Sequence, residues 1–233
     1  MRVCWLLKTT LLTPRLKINI AKLKMSTRIN DFEIISAWTQ AGMGSCIHIK
    51  GTQKDEDILF DLGLCEPSST SAKFVFISHS HIDHIGCAII HARMKTLQSS
   101  PAIYYVPSSA VKALKEAHAA YEKLDESKII MDIKSCDPGD IIHISNTLSV
   151  RVFSTLHRVP SQGYAVYKTK KGILLPEYRD KSPQEIGRLR QSGVVVKSSD
   201  TQHLQVVYTG KTNTKFNASP VSHNDHYNYI MLN

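Results

Sequence analysis

The clearest signal in this chain is the stretch Phe74-Val75-Phe76-Ile77-Ser78-His79-Ser80-His81-Ile82-Asp83-His84-Ile85-Gly86. Its first four residues are continuously apolar, as expected for a strand that is covered on both faces. Polar residues follow directly, and Gly86 allows the backbone to turn tightly after them. The stretch therefore predicts a buried strand, then a polar loop, and then a helix that begins within residues 85–94.

The polar loop contains four side chains that can bind a metal ion: His79, His81, Asp83 and His84. Imidazole nitrogens and carboxylate oxygens are good zinc ligands, and mixed sites of this kind are typical of catalytic zinc. Because His79 and His81 are two residues apart, an extended backbone points both to the same side. Asp83 and His84 are adjacent, so they can serve two different metals.

The pattern His-x-His-x-Asp-His resembles the metal-binding loop of the metallo-β-lactamase superfamily. That resemblance implies an α/β fold, a four-layer αββα sandwich. It also implies a hydrolase with two zinc ions, the first held by His79 and His81 and the second by Asp83 and His84. Asp61 matches the aspartate that, in this superfamily, hydrogen-bonds the metal loop and orients it.

A third imidazole for the first metal is expected further along the chain, and His157 is the candidate. It closes a predicted strand and a turn follows it, so its side chain can point into the same cleft. Its surroundings read His157-x-x-x-Ser161-x-Gly163-Tyr164. This pattern is similar to the ribonuclease Z family, the tRNA 3′-processing endonucleases.

The resemblance to ribonuclease Z covers roughly residues 36–212 and looks closest to the short plant-like form. It implies a precursor tRNA substrate, a homodimer, and hydrolysis of a phosphodiester just 3′ of the acceptor stem. Asp83 would accept the proton of the attacking water, and the metal ions would neutralise the developing charge. Basic residues before the last motif could contact tRNA phosphates or be a solvated surface: Lys168, Lys170, Lys171, Arg188 and Arg190.

Two departures from the family pattern concern the second metal. The family expects Thr-Gly-Asp, but this chain reads Thr209-Gly210-Lys211. A lysine ammonium cannot bind a metal and its charge repels cations, so we expect the second zinc site to be weakened or missing. A final histidine ligand is also expected downstream, and the tail offers only His223 and His226 near Asp225. The sequence therefore indicates a C-terminally incomplete or diverged copy.

Composition predicts one globular domain, because 233 residues with 42% hydrophobic content can build one sizeable core. We assign that domain to residues 31–212. Residues 1–30 are read as a basic N-terminal extension, either an organelle transit peptide or a mis-assigned start before Met25. Residues 213–233 are read as a disordered tail. Most of the net charge of +9 comes from basic residues that precede Asp31, so the domain itself is nearly neutral.

Cysteine spacing and hydropathy are informative about the cellular location of the protein. The five cysteines contain no Cys-x-x-Cys pair, which favours reduced thiols in an intracellular protein. The sequence contains no apolar run of the roughly 20 residues that a membrane span needs. Mitochondrion or plastid, and cytoplasm or nucleus, remain equally open compartments.

Two other functions remain open from the sequence alone. A thioesterase or lactonase of the same superfamily would share the metal loop, so tests on the two substrate classes would distinguish them. A non-catalytic tRNA-binding protein or dimer partner would hold RNA in a salt-dependent manner without cleaving it.

Overall fold

The computed structural model describes residues 5–6, 27–53, 56–211 and 229–232. Two β-sheets pack face to face. The first has the order β2-β3-β4-β5-β6-β7-β8, with bounds β2 Thr27–Ile29, β3 Phe32–Gln40, β4 Gly44–Lys50, β5 Asp57–Phe60, β6 Phe74–Phe76, β7 Ile103–Pro107 and β8 Asp132–Cys136. Strands β2 to β5 pair antiparallel and β5 to β8 pair parallel.

The second sheet has the order β1-β13-β12-β11-β10-β9, with bounds β1 Trp5–Leu6, β9 Ile141–His143, β10 Leu148–Ser154, β11 Gln162–Lys170, β12 Thr201–Lys211 and β13 Tyr229–Leu232. Strands β9 to β12 are antiparallel, whereas β13 pairs with β12 and β1 in parallel. The helices are α1 Ile82–Ile85, α2 Ala88–Leu97, α3 Ser108–Leu124 and α4 Pro183–Gln191. No helix in the described part of the chain is long and apolar enough to span a membrane.

The core between the sheets is centred on buried aromatic rings. Phe60 stacks on Tyr208 at 4.8 Å between ring centroids, and Phe76 contacts Tyr164 at 5.0 Å. A second core lies on the other face of the first sheet, where α2 and α3 bury residues such as Ile89 and Leu114. The layers therefore run helix, sheet, sheet, as the predicted αββα sandwich requires. In the described residues the fourth layer is incomplete, because α4 buries none of its side chains.

The described strands reach beyond the predicted domain limits at both ends, and the domain assignment stays a prediction. Strand β2 pairs with β3, and Ile29 is buried in the inter-sheet core, although both belong to the predicted extension. At the other end, β13 lies between β1 and β12 in the segment where we expected disorder, and its Tyr-Ile-Met-Leu sequence is an apolar run that suits a β-strand. The rest of residues 1–26 and 212–228, with the candidate ligands His223, Asp225 and His226, lies outside the described residues.

Candidate metal centre

The structure brings three imidazoles from two distant parts of the chain together. His79 and His81 follow β6, and His157 lies in the connection between β10 and β11. Their candidate ligand atoms all lie within 4.8 Å of one another. His81 Nδ1 is 3.0 Å from His79 Nε2 and 3.2 Å from His157 Nε2. This convergence is the arrangement that the sequence predicted for the first metal.

The connection that carries His157 is closed at its base by short contacts. The backbone N–H of Thr155 donates to Ser161 O at 3.3 Å, and the two hydroxyls are also hydrogen-bonded. The next backbone N–H, that of Gln162, donates to Ser78 O at 3.0 Å. Because Ser78 immediately precedes His79, this bond fixes the His157 loop against the metal loop.

Packing and hydrogen bonding explain the last two residues of the His-x-x-x-Ser-x-Gly-Tyr pattern, Gly163 and Tyr164. A Cβ on Gly163 would come within 2.4 Å of the Phe153 ring, so only glycine fits there. The hydroxyl of Tyr164 is buried between the sheets and donates to Ile77 O at 2.5 Å, at the end of the strand that leads to the metal loop. These two residues hold the second sheet at a fixed distance from the loop.

Asp61 is hydrogen-bonded to the metal loop and to β12. Its carboxylate is fully buried, and its backbone has a φ of +57°, which aspartate tolerates better than most residues. It accepts hydrogen bonds from Ser78 N (2.7 Å), Ser78 Oγ (2.8 Å), His84 Nδ1 (2.6 Å) and the Tyr208 hydroxyl (2.5 Å). These contacts join Asp61 to both ends of the metal loop, and they are the contacts that its predicted orienting role would need.

These contacts also set which imidazole nitrogens face the centre. With Asp61 as acceptor, His84 Nδ1 carries the proton and Nε2 is left free. The Ser78 hydroxyl donates to Asp61, so Ser78 Oγ accepts from His79 Nδ1 at 2.9 Å. His79 Nε2 is therefore unprotonated and turned towards His81, which is the state a metal ligand needs.

Asp83 and His84 lie beside the triad. Asp83 Oδ2 accepts the backbone N–H of Gly42 at 2.9 Å and lies 3.8 Å from His84 Nε2. A Cβ on Gly63 would lie only 1.9 Å from Asp83 O, which shows how closely the Asp61 loop approaches the metal loop. Asp83 and His84 thus lie next to each other, but within the described residues no third ligand side chain converges with them.

The local environment keeps the three imidazoles neutral. Burial lowers the pKa of His79 to about 3. Burial and the nearby Arg158 lower the pKa of His81, and burial and the neighbouring His81 lower the pKa of His157. Neutral imidazole is the form that binds a metal ion, so the triad is ready to bind one at neutral pH.

The carboxylate of Asp83 is also held in its charged form. Burial alone would raise its pKa, but the hydrogen bond from the Gly42 N–H, helped by the positive charge of Lys211, outweighs burial and lowers it. Asp83 is therefore ionised at neutral pH and has the charge state of a proton acceptor.

Lys211 lies at this centre, at the end of β12. A Cβ on the preceding Gly210, whose φ is +59°, would lie 2.6 Å from Ser78 Cβ, so β12 ends directly against the metal loop. The positive charge of Lys211 contributes to the lowered pKa of His81, Asp83 and His157. The residue that departs from the expected carboxylate therefore follows the glycine that contacts the metal loop, and its charge acts on the site.

Three residues of the centre were missed by the sequence reasoning. Ser78 bonds both Asp61 and His79, Gly42 holds Asp83, and Tyr208 bonds Asp61. Ser78 could have been noticed because it precedes His79. The turn around Gly42 and the buried Tyr208 carry no local signal of a role at a site distant in sequence.

The structure does not bring Lys168 to the centre. It lies six residues along β11 from Gln162, or about 20 Å at roughly 3.3 Å per residue. Its ammonium pairs with buried Glu56 at 2.9 Å and with Asp31 at 3.6 Å, and only 14% of its side chain is exposed. The contact of Lys168 with RNA phosphate stays a prediction, and these two carboxylates already pair with its ammonium.

The other basic candidates lie on an arm, which we define as residues 171–200 between β11 and β12, or at its base. The arm leaves the sheet at the end far from His157 and is closed by Leu175 N to Val196 O (2.9 Å) and Ser198 N to Ile173 O (2.9 Å). An isolated antiparallel bridge pairs Leu174 with Lys197 within the arm. Lys171 pairs with Asp200 at 2.8 Å, and the exposed candidates are Lys170, Lys171, Arg188 and Arg190.

Comparison with known proteins finds relatives named tRNase Z or ribonuclease Z. No protein-family model matches the chain. It is 36% identical over 160 residues to tRNase Z TRZ1 of Arabidopsis thaliana, covering 68% of this chain and 56% of that protein. It is 31% identical over 145 residues to the nuclear ribonuclease Z of Triticum aestivum, covering 62% of this chain and 82% of that protein.

Two further matches are more distant. The chloroplastic tRNase Z TRZ2 of Arabidopsis thaliana is 27% identical over 164 residues, 70% of this chain and 46% of that protein. The chain thus spans about half the length of the two Arabidopsis relatives. The solved structure of the short form of human tRNase Z aligns with a TM-score of 0.41 and 18% identity, over 57% of this chain and 62% of that one.

Proposed function

This chain belongs to the ribonuclease Z family of the metallo-β-lactamase fold, and from that premise we propose that it is a zinc-dependent endoribonuclease that cleaves precursor tRNA 3′ of the acceptor stem. The observation that carries the proposal is the meeting of His157 with His79 and His81, whose ligand atoms lie within 4.8 Å of one another. The site is a hydrolase centre rather than a structural metal site, because three protein ligands leave a coordination position open.

The donor set fits one zinc ion. His79, His81 and His157 would hold it, since all three are neutral and His79 Nε2 is unprotonated. Zinc, when bound, lowers the pKa of a water molecule towards about 7 and acts as a Lewis acid on the phosphodiester. Asp83, ionised and oriented by the Gly42 N–H, accepts the proton of the attacking water. Asp61 keeps the metal loop in place while this happens.

A cleft beside the triad offers room for the RNA backbone. A cavity of about 420 Å³ is lined by His157, Arg158, Ser108 and Ser161 among others. Hydroxyls and a guanidinium suit phosphate and ribose oxygens. The cavity also contains Asp137, but its carboxylate accepts from the Ser108 N–H and hydroxyl, at 3.2 Å and 2.9 Å. Both hydrogen bonds go to Oδ1 of Asp137, so this oxygen already has partners within the protein.

Cleavage of a precursor tRNA tests the proposed reaction. The zinc-loaded chain should convert a 5′-labelled tRNA with a 3′ trailer into a product that ends in a 3′-hydroxyl. The variant His157→Ala should lose this activity, whereas His143→Ala, at an exposed position of β9, should keep it.

Other outcomes would reassign the function. Hydrolysis of a thioester or lactone without cleavage of tRNA would identify a small-molecule hydrolase of the same fold. Salt-sensitive tRNA binding without any cleavage would identify a non-catalytic binding protein.

We assign the arm to RNA backbone contacts away from the cleaved bond. Replacing both Arg188 and Arg190 with alanine should weaken tRNA binding and lower the slope of log K against log salt by about one per lost phosphate contact. Replacing Lys112 and Lys115, two exposed lysines on α3, is the matched control and should change neither value. Filter binding across a range of salt concentrations measures both. Equal effects of the two double variants would contradict a specific role for the arm.

The helical layer supports pairing with a second copy of the chain. Several large apolar side chains on or next to α2 and α3 are exposed: Ile90, Leu97, Tyr121, Leu124 and Ile130. Such a patch favours a protein interface. Light scattering should give a dimer that Leu124→Asp converts to monomer, and a wild-type monomer would contradict the pairing. For both proposals the expected setting is an intracellular compartment that contains precursor tRNA.

A further inference from the structure

We propose that this centre holds one zinc ion and that Lys211 and Arg158 take over the second cation's task of binding the substrate phosphate. The inference rests on the proposed function, because it concerns how the same site binds an RNA phosphodiester. It departs from the two-zinc arrangement that the family resemblance implies.

The first step is the number of ligands available. Within the part of the chain that the structure describes, His79, His81 and His157 are the one group of three ligand side chains that converges. Asp83 and His84 form only a pair, with 3.8 Å between Asp83 Oδ2 and His84 Nε2. Structural and catalytic zinc sites need at least three protein ligands. The described residues therefore complete one zinc site. Among these residues, Asp83 and His84 lack the further ligand that a second zinc site would need.

The second step concerns Lys211, which occupies the position where the family pattern expects a carboxylate ligand. Strand β12 ends against the metal loop, with Gly210 in contact with Ser78, and the next residue is Lys211. Lys211 is half-buried rather than extended freely into solvent. Its ammonium donates hydrogen bonds but cannot bind a metal ion. The end of β12 therefore brings a positive charge that acts electrostatically on His81, Asp83 and His157, and this charge opposes the entry of a second divalent cation.

The third step is a second side-chain cation beside the triad. Arg158 follows His157 directly and lines the same cavity as His157. Its charge and that of Lys211 both contribute to the lowered pKa of His81 and His157, so both cations act on the same imidazoles. Arg158 comes from the β10–β11 connection and Lys211 from the end of β12. The two approach the centre from separate elements.

The resulting charges suit one phosphodiester. A zinc ion on the triad, Lys211 and Arg158 together outweigh the carboxylate of Asp83, so the mouth of the site is positive. A phosphodiester carries one negative charge on two non-bridging oxygens, which can accept hydrogen bonds from an ammonium and a guanidinium. The two side chains thus supply a binding site for phosphate that does not require a second metal.

The test uses the zinc-loaded full-length chain and inorganic phosphate as the probe. Elemental analysis after gel filtration should give one zinc per chain, and calorimetry should show phosphate binding. Lys211→Gln and Arg158→Gln should each keep one zinc and raise the phosphate dissociation constant by about tenfold or more. Lys211→Arg should bind phosphate nearly as the wild type does, because it keeps the charge. Lys112→Gln, on the exposed face of α3, is the control and should change nothing.

Two results would overturn the inference. Two tightly bound zinc ions per wild-type chain would show that Lys211 does not exclude the second metal. Unchanged phosphate affinity in both glutamine variants would show that these cations do not bind phosphate. Failure of the proposed function looks different, because it would appear as no zinc on the triad or no cleavage of precursor tRNA.

Discussion

Replacing His157 with alanine is expected to weaken zinc binding by about a hundredfold or more. His157 supplies one of three imidazoles, and loss of an outer partner alone typically costs 10–100-fold, so loss of a direct ligand should cost at least the upper value. The fold should survive, because His157 is only half-buried and lies in a connection closed by Thr155 and Ser161. Competition for zinc with a chelator of known affinity measures the change.

The control for this variant is His143→Ala, which removes an imidazole from an exposed position of the same sheet. It should leave zinc affinity unchanged. Circular dichroism of both variants should match the wild type. Equal zinc affinity in His157→Ala and the wild type would mean that the imidazoles converge without binding a metal.

Replacing Asp61 with asparagine is expected to lower the free energy of unfolding by about 3 kcal/mol, and replacing it with alanine by more. The carboxylate is fully buried and accepts from Ser78, His84 and Tyr208. Removing a buried charged partner typically costs about 3–5 kcal/mol, since its donors lose their acceptor. Asparagine tolerates the positive φ of this position, so it isolates the lost hydrogen bonds, whereas alanine adds backbone strain.

Urea denaturation measures this loss. The matched control is Asp132→Asn, because Asp132 is an exposed aspartate on β8 and should change stability by less than about 0.5 kcal/mol. A loss as small for Asp61→Asn as for Asp132→Asn would mean that the carboxylate does not hold the metal loop. The expected loss is large against the total stability of about 5–15 kcal/mol that domains usually have.

The metal loop and its distant partner could be predicted because their signals are local. His79 and His81 are placed by strand geometry, and the pattern around His157 is short and ordered. The layers of the fold could be predicted for a similar reason, since the buried strand Phe74–Phe76 was visible as an apolar run. In each case the residues that matter lie within a few positions of one another.

What the sequence did not reveal depends on contacts between remote residues. The Tyr208 hydroxyl bonds Asp61 across a separation of 147 residues, and no periodicity marks it. Lys168 looked like a phosphate ligand because counting charges does not show that Glu56 and Asp31 already pair with it. Strand β13 was missed because a strand of four residues near the end of a polar segment has too little pattern to stand out.

Lys211 combines a feature that the sequence predicted with one that only the structure shows. The sequence identified it as the residue that replaces an expected carboxylate, and the structure shows that the strand before it ends against the metal loop. Only the structure adds Arg158, which lines the cavity with His157. Together they change the interpretation of Lys211 from the loss of a ligand to a proposed phosphate-binding residue.

The central claim is that His79, His81 and His157 bind one metal ion together. X-ray absorption at the zinc edge, on the zinc-loaded wild type and on His157→Ala, tests it most directly. The account predicts three imidazole nitrogens at about 2.0–2.1 Å in the wild type, and one fewer in the variant. Zinc bound through cysteine sulfur, at about 2.3 Å, or identical spectra for the two proteins would contradict it.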